Sequence, residues 1–194
     1  MGTTLAATIS GTLTNDTTLT GTNTLVGTVV VTNGVVLTLE PGSRVLMSTG
    51  ATLVVYGQLL ANGTSNAPIY FTRQVAGQRW KQIKFVGAQD SVLRYCFVEF
   101  ADSAGTHLDY YDNDCNTNTP PLTRNYHEAV VALATHLEIE GCTFRNLPDS
   151  GTLYTSFCKV CYFNPSFAFT SSKISFESGE AYMIEPAPWA ISKI

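Results

Sequence analysis

Charged side chains are scarce in this sequence of 194 residues. Asp, Glu, Lys and Arg make up 13% of the chain, half of the ~25% that is usual in globular domains. No Lys or Arg occurs in the first 43 residues, no basic run occurs later, and the formal net charge is −4. These features argue against a nucleic-acid-binding surface, since such a surface requires clustered positive charge.

Long apolar runs are also missing. No run approaches the ~18 residues that cross a bilayer, so no membrane span is predicted. The opening sequence MGTTLAATISGTL lacks a basic segment followed by a continuous apolar one, and it does not read as a signal peptide. Either the protein is cytoplasmic, or the sequence is a mature or excised domain that carries a start Met.

Five cysteines do not fix the cellular compartment. Cys96 and Cys142 occur inside strand-like runs, where small buried thiols are common. Cys158 and Cys161 form a single CxxC without a second pair, which is weak support for a metal or redox role. Packing thiols or a local disulfide fit those two residues as well. Cys115 lies in a polar segment, either as an exposed thiol or as the partner of another loop cysteine.

Helical periodicity is hard to find. HEAVVALATHLEI could form a short helix, but it also alternates as strands do. Elsewhere, short alternating runs rich in Val, Ile, Thr and aromatic residues are separated by turn sequences such as TNG, EPGS and ANGTSN. Abundant Thr, Val, Gly and Asn are typical of β structure. The sequence therefore predicts an all-β fold, as a sandwich, a barrel or a solenoid.

A regular spacing favours the solenoid among these three. Leu37, Leu53, Ile69 and Phe85 follow one another with a constant 16-residue step. In a solenoid, equivalent inward positions recur at one coil length and form ladders of similar side chains. A sandwich gives no reason for such a constant step. We therefore predict a 16-residue coil in this part of the chain.

A longer repeat covers two neighbouring strands. The residues matched at a separation of 46 are Leu93 with Ile139, Cys96 with Cys142 and Val98 with Phe144, and those matched at 48 are Ile83 with Val131 and Phe85 with Leu133. This repeat predicts a two-strand coil with a thiol at the same inward site in each copy. Residues 102–127 lie between the copies and are predicted to be a loop inserted at one corner.

Five phrases between residues 9 and 147 resemble a known family. They are LTLEPGSRVLM, GQLLANGTSNAPIYFT, WKQIKF, VLRYCFVEFA and LEIEGCTFRN. They are similar to coils of right-handed parallel β-helix repeat proteins of the secreted bacterial kind, in the pectate-lyase-like solenoid superfamily. Gln82 departs from the family, which often has Gly at this point of the Trp-x-Gly-Ile phrase.

The resemblance implies an all-β, right-handed parallel β-helix with one long corner insertion, in an extracellular or cell-surface protein. We expect an N-terminal β cap in residues 1–27 and coils in residues 28–147, with the insertion at 102–127. Residues 148–194 do not continue the pattern. They are expected to be a C-terminal cap, a degenerate coil or the cut edge of a longer protein.

The inserted segment contains the candidate metal site. Asp109, Asp112, Asp114 and Asn116 offer the carboxylate and amide oxygens that calcium binds. Three of them match the opening of an EF-hand loop, but the match fails at Thr117, where that loop requires Gly. The alternative is a solvated polar loop in which Asp and Asn form turns.

The same segment contains candidate catalytic residues. Many proteins of the resembled fold cleave polysaccharides, either with calcium and a base or with paired carboxylates. Asp112 and Asp114 could form such a pair, with Arg124 or His127 as the basic neighbour. No lyase or hydrolase signature accompanies them, and catalytic residues in this fold usually lie on stacked strands.

Aromatic residues in and near the segment are candidates for binding sugar rings. Trp80, Tyr110 and Tyr111 offer flat apolar faces with a polar edge, and His127 lies at the end of the segment. The alternative is structural: Trp80 packs at a coil corner, and the two tyrosines hold the loop against the flank of the solenoid.

The leading hypothesis is a non-catalytic module of an extracellular or cell-surface protein, acting as a scaffold, an adhesive or a glycan-binding unit. Its expected partners are a polysaccharide or cell-surface glycan and other domains of a longer chain. The alternative is a polysaccharide lyase or glycoside hydrolase with its site at residues 102–127. Both rest on analogy at the level of the fold.

Overall fold

The alternating sequences form β-strands throughout the part of the chain that the structure describes. This computed structural model describes residues 7–102, 105–109, 122–126, 129–133 and 137–147 and five later strands, with side chains for 7–102, 129–132 and 137–147. Within these residues there is no helix, and most strand pairs are parallel. The prediction of an all-β fold is confirmed. No helix of the described residues is long and apolar enough to cross a membrane.

An 11-stranded sheet contains two rows of parallel strands that share the long strand β3 (Thr22–Val31). Row 1 continues from β3 through β5 (Arg44–Met47), β8 (Ile69–Arg73), β11 (Cys96–Glu99), β16 (Thr143–Arg145) and β19 (Ser175–Phe176). Row 2 continues from β3 through β6 (Thr52–Val55), β9 (Gln82–Val86), β14 (Val130–Leu133) and β17 (Leu153–Thr155). Strand β1 (Thr8–Leu13) pairs along β3 on its other side.

A six-stranded sheet forms row 3. Its parallel strands are β2 (Thr17–Leu19), β4 (Val36–Leu39), β7 (Gln58–Asn62), β10 (Ser91–Arg94), β15 (Leu137–Glu140) and β18 (Phe169–Ser172). Two antiparallel pairs complete the described strands, namely β12 (Gly105–Asp109) with β13 (Leu122–Tyr126), and β20 (Tyr182–Ile184) with β21 (Ile191–Lys193). The first of these pairs lies within the segment that we predicted to be an inserted loop.

The chain visits the three rows in a fixed order. Strands β5, β6 and β7 lie in rows 1, 2 and 3, and β8, β9 and β10 then follow in the same order, each paired with its predecessor in the row. We call one passage through the three rows a circuit. In row 1, the register partners Thr24 and Leu46 lie much closer together in the sequence than the register partners Val98 and Phe144. A circuit therefore has no fixed length.

The predicted 16-residue coil is wrong. Leu37 is in register with Leu59, and Leu53 is in register with Ile83, so the residues that we placed on one ladder belong to different ladders. The predicted two-strand coil is also wrong, because a circuit contains a strand from each of three rows. The 16-residue step compares positions in different rows, because alternation places an apolar residue at every second position of a strand whether or not the strands stack on one another.

The 46-residue repeat is confirmed. Leu93 is in register with Ile139. The Cys96 amide donates a hydrogen bond to Cys142 Sγ over 3.4 Å, which places the two buried thiols at equivalent points of successive circuits.

The 48-residue match is off by one. Ile83 is in register with Val130, where we had matched it with Val131. Because Val130, Val131 and Ala132 are all apolar and all buried, the sequence of this strand does not show which side chains point inward.

The core lies between the rows and consists of ladders of buried side chains. In row 1, Val45, Phe71, Val98 and Phe144 occupy one ladder, and each is at most 1% exposed. Each such side chain contributes about 1.5–3 kcal/mol through burial of apolar surface. The alternate residues of row 1 therefore point outward, and they form the surface described next.

Candidate functional site on the outer face of row 1

Trp80 is buried in the core rather than exposed to a ligand. Its side chain is 0% exposed, and its indole Nε1–H donates a hydrogen bond to the Glu99 carbonyl oxygen over 2.7 Å. The residue forms a parallel bridge with Ala101, just beyond the end of β11. This placement supports the structural alternative, in which Trp80 packs at a corner, because a ring with no exposed face cannot stack on a sugar.

The other predicted site residues lie outside the described side chains. Asp109 and Arg124 lie on β12 and β13, where their backbones are in register with Leu122 and His107 respectively. The rest of that set lies outside the described residues altogether, namely Tyr110, Tyr111, Asp112, Asp114, Asn116 and His127. The calcium site and the catalytic pair that we placed there stay predictions.

Four outward side chains of row 1 form a continuous stack. Arg44, Tyr70 and Phe97 are in register on β5, β8 and β11. The Arg44 Cζ lies 4.8 Å from the centre of the Tyr70 ring. The Tyr70 and Phe97 rings are stacked with centres 4.8 Å apart and planes 7° apart, and the Arg145 Cζ lies 4.6 Å from the centre of the Phe97 ring. The ring spacing equals the usual separation of neighbouring strands.

Both faces of both rings are covered. Tyr70 lies between Arg44 and Phe97, and Phe97 lies between Tyr70 and Arg145, because the strands follow one another in this order. No ring face is left for a sugar to stack on. What the stack presents to solvent is guanidinium groups held in place by cation–π contacts.

Arg145 is fixed by a second contact. Its Nε donates a hydrogen bond to Glu99 Oε1 over 2.5 Å, and the same carboxylate forms an ion pair with Arg145 Nη2. The Glu99 side chain is 8% exposed, so this charge is largely withdrawn from solvent. Since the Glu99 carbonyl also accepts the bond from Trp80, this residue joins the outer face to the core.

Two further arginines lie at the corner where row 1 ends. Arg73, the last residue of β8, places its Cζ 3.7 Å from the centre of the Phe100 ring. Arg79 follows in the connection to β9, and its Nη1 donates a hydrogen bond to the Asn146 carbonyl over 3.0 Å. Phe100 and Asn146 both have positive φ angles, +62° and +56°, directly after β11 and β16. The corner thus has the same backbone conformation in two successive circuits.

The resulting surface is rich in positive charge. We call the stack and the adjoining corner together the arginine face. Its members are Arg44 and Arg145 with the Tyr70 and Phe97 rings in the stack, and Arg73 and Arg79 with the Phe100 ring at the corner, where Arg73 is in register with the inward Met47. Among the described residues, no carboxylate forms an ion pair with Arg44, Arg73 or Arg79. Three guanidinium groups of this face therefore remain available to an anionic ligand.

Row 3 shows the opposite arrangement. Arg94 Nε donates a hydrogen bond to Glu140 Oε2 over 2.7 Å, and Arg94 Nη2 forms an ion pair with Glu138. The hydrogen bond with Glu140, followed by that with Glu138, raises the pKa of Arg94 above its ordinary value. Because two carboxylates surround one guanidinium, this part of row 3 does not attract anions.

The arginine face was missed in the sequence because its members are far apart in the chain. Arg44, Tyr70 and Phe97 lie on three different circuits, and the incorrect 16-residue coil could not bring them together. A usable signal does exist. Arg44, Tyr70 and Phe97 each occupy an outward position in an alternating strand, where the core does not require a large aromatic or charged residue.

No group of three or more His, Cys, Asp or Glu side chains that could hold a metal ion occurs within the described parts of the chain. The arginine face itself offers cations rather than metal ligands. Comparison with known proteins gives no identification, since no family model, curated protein or solved structure matches this chain.

Proposed function

We propose that this chain is a non-catalytic right-handed parallel β-helix module of an extracellular or cell-surface protein, and that it binds an acidic glycan on its arginine face. The observation that carries the proposal is the set of guanidinium groups of Arg44, Arg73 and Arg79, which have no carboxylate partner among the described residues. Carboxylate and sulfate groups are the natural partners of such groups.

The right-handed sense of the helix is part of this proposal. Parallel strands that are joined by a crossover within one sheet are connected with a right-handed sense in about 98% of cases. Successive circuits of such a helix stack about 4.8 Å apart, so the outer face of a row is long and flat. An extended polymer can contact several circuits at once on a face of this shape.

The composition of the face supports binding rather than catalysis. Hydrolysis by paired carboxylates needs two acidic groups beside the bond that is cleaved. The carboxylate that contacts the face among the described ion pairs, that of Glu99, is buried and already paired with Arg145. An enzymatic site formed by Asp112, Asp114 and Arg124 would be a different site, and it stays a prediction because the structure does not describe those side chains.

Binding can be tested with glycans that differ only in charge. We expect isothermal titration calorimetry to show binding of a polyuronate or a sulfated polysaccharide and none of a neutral polysaccharide. Arg44→Gln and Arg73→Gln should each weaken binding about tenfold, the loss expected for one charge-assisted hydrogen bond. The affinity should also fall as the salt concentration rises.

The matched control is Lys84→Gln. Lys84 lies on β9 in row 2, so this variant removes the same charge from another face. Equal weakening by the lysine and arginine variants would mean that only net charge matters, and would contradict the assignment to the arginine face. Shortening of the polysaccharide during the assay would contradict the non-catalytic role.

A further inference from the structure

Two Asn-Gly pairs occur in this sequence, and the structure places them in different surroundings. Asn33 and Gly34 form the turn between β3 and β4, where the chain passes from row 2 to row 3. Asn62 ends β7, and Gly63 follows it directly. An Asn-Gly pair loses ammonia when the glycine amide nitrogen attacks the asparagine side chain, and glycine has no Cβ to hinder this approach. The surroundings of each pair therefore decide whether the reaction occurs.

The first pair is exposed and unrestrained. Asn33 and Gly34 are both exposed, and among the described residues neither the Asn33 carboxamide nor the Gly34 amide takes part in a hydrogen bond. The turn is closed by the Val35 amide, which donates a hydrogen bond to the Thr32 carbonyl oxygen over 3.1 Å and so spans the pair without engaging it. Gly34 has a φ of +78° and nothing within 4 Å of an added Cβ, so the space beside this glycine is open.

The second pair is held by the next circuit. The Gly63 amide donates a hydrogen bond to the Arg94 carbonyl oxygen over 2.8 Å. A Cβ added at Gly63 would lie 2.7 Å from the Tyr95 carbonyl oxygen, so the backbone of the next circuit packs directly against this glycine. The Asn62 Oδ1 accepts a hydrogen bond from Arg94 Nη1 over 3.4 Å. Attack by the Gly63 nitrogen would break the first of these hydrogen bonds and displace the end of β7.

We propose that Asn33 is a site of spontaneous deamidation in the folded chain, and that the fold protects Asn62 from the same reaction. The Gly34 nitrogen attacks Asn33 Cγ, the new N–Cγ bond closes a succinimide ring, and the Cγ–Nδ2 bond breaks. The side-chain nitrogen leaves as ammonia with the proton that the Gly34 amide loses. Water then opens the ring at one of its two carbonyl groups and gives aspartate or isoaspartate, with no oxidation or reduction.

The isoaspartate product lengthens the main chain at a turn that contacts the next circuit. The Val35 carbonyl oxygen accepts a hydrogen bond from the Gln58 amide over 2.9 Å, and a Cβ added at Gly57 would clash with the same oxygen. The extra methylene group enters the main chain just before this contact, at Asn33. We therefore expect isoaspartate at this position to weaken the packing between the corners of two successive circuits.

Peptide mapping by mass spectrometry measures both sites in one sample. The folded chain is incubated at mildly alkaline pH in heavy-oxygen water, which distinguishes hydrolysis during the incubation from hydrolysis during the later digestion. Trypsin cleaves after Arg44 and Arg73 and so puts Asn33 and Asn62 on different peptides. We expect Asn33 to deamidate at least about tenfold faster than Asn62, since the hydrogen bond that the protected pair must lose changes a rate by about that factor.

The control is the same chain unfolded in urea. Asn33 and Asn62 should deamidate at similar rates there, because each is followed by Gly and neither is held by a neighbouring circuit. Equal rates in the folded chain, an Asn33 that stays unmodified, or a rate difference that persists in urea would each overturn the proposal.

The effect on the corner is tested by comparing two products of the same charge. The isolated isoaspartate form should unfold at a lower urea concentration than Asn33→Asp, which carries its carboxylate on an unaltered main chain. Equal unfolding midpoints would contradict the weakening that we assign to the longer main chain.

Discussion

At the scale of the residue, Cys96 shows how a core between rows of parallel strands affects the chemistry of a side chain. The thiol is buried between circuits, with Sγ 3.6 Å from the Ala61 carbonyl oxygen and 3.4 Å from that of Arg94. Burial raises the pKa of Cys96 well above its ordinary value, because a thiolate would lose its hydration there. The thiol therefore stays protonated in the folded chain at a pH where it ionises in the unfolded chain.

This difference predicts a loss of stability in alkali. A raised pKa in the folded state means that the stabilisation is complete below the ordinary thiol pKa of about 8.5 and is lost as the pH rises toward the folded value. We use a Cys142→Ala background, so that a single thiol titrates at this site. Above pH ~8.5 the free energy of unfolding of Cys142→Ala should fall by up to about 1.4 kcal/mol per pH unit relative to that of Cys96→Ala/Cys142→Ala.

The measurement is urea unfolding of both proteins between pH 7 and 10. Tyrosines and lysines contribute equally to the stability of Cys142→Ala and of Cys96→Ala/Cys142→Ala, so their contributions cancel in the difference between the two proteins. Parallel stability curves would show that Cys96 titrates equally in the folded and unfolded states, and would contradict the effect assigned to burial.

At the scale of the element, the turn between β15 and β16 depends on one glycine. Gly141 has a φ of +60°, and a Cβ added there would lie 2.7 Å from Cε1 of the Tyr95 ring. Tyr95 occupies the equivalent turn between β10 and β11, one circuit earlier, and itself has a φ of +47°. The tyrosine ring covers the next turn, and only glycine leaves room for it.

We expect Gly141→Ala to destabilise the fold through two effects. A left-handed conformation costs an L-residue about 1–2 kcal/mol, and displacement of the Tyr95 ring adds to this cost. Gly50→Ala is the matched control, because Gly50 has a φ of +70° and nothing within 4 Å of an added Cβ. Chemical denaturation should show a clearly larger loss for Gly141→Ala than for Gly50→Ala. Equal losses would mean that the contact with Tyr95 is not restrictive.

The register between strands also shows which part of the fold could be predicted from the sequence. Alternation correctly identifies Leu93 and Ile139 as inward residues, and their separation correctly gives their register. Alternation alone does not give register for Leu37 and Leu53, because it is a property of each strand and does not depend on which strand stacks beside it. The connections between strands also differ in length, which removes any constant step.

At the scale of the whole molecule, the candidate site depends on this register. The stack on row 1 joins residues from four strands, so its existence follows from how the circuits align and not from any local motif. The sequence instead indicated residues 102–127, because clustered Asp and Asn are conspicuous in a chain with few charges. A correct alignment of circuits was required before Arg44 and Tyr70 could be recognised as neighbours.

Stacked circuits also predict that stability varies along the molecule. Among the described residues, a circuit in the middle contacts a neighbour on each side, whereas the circuit of β1 and β2 contacts one, and stability in such arrays is approximately a sum of these contacts. Amide protons of β1 and β2 should therefore exchange at least about tenfold faster than those of β7 and β8. Hydrogen–deuterium exchange with mass spectrometry measures both regions in one experiment. Equal protection in all four strands would show that the described circuits open as a single cooperative unit, and would contradict a stability that declines toward the end.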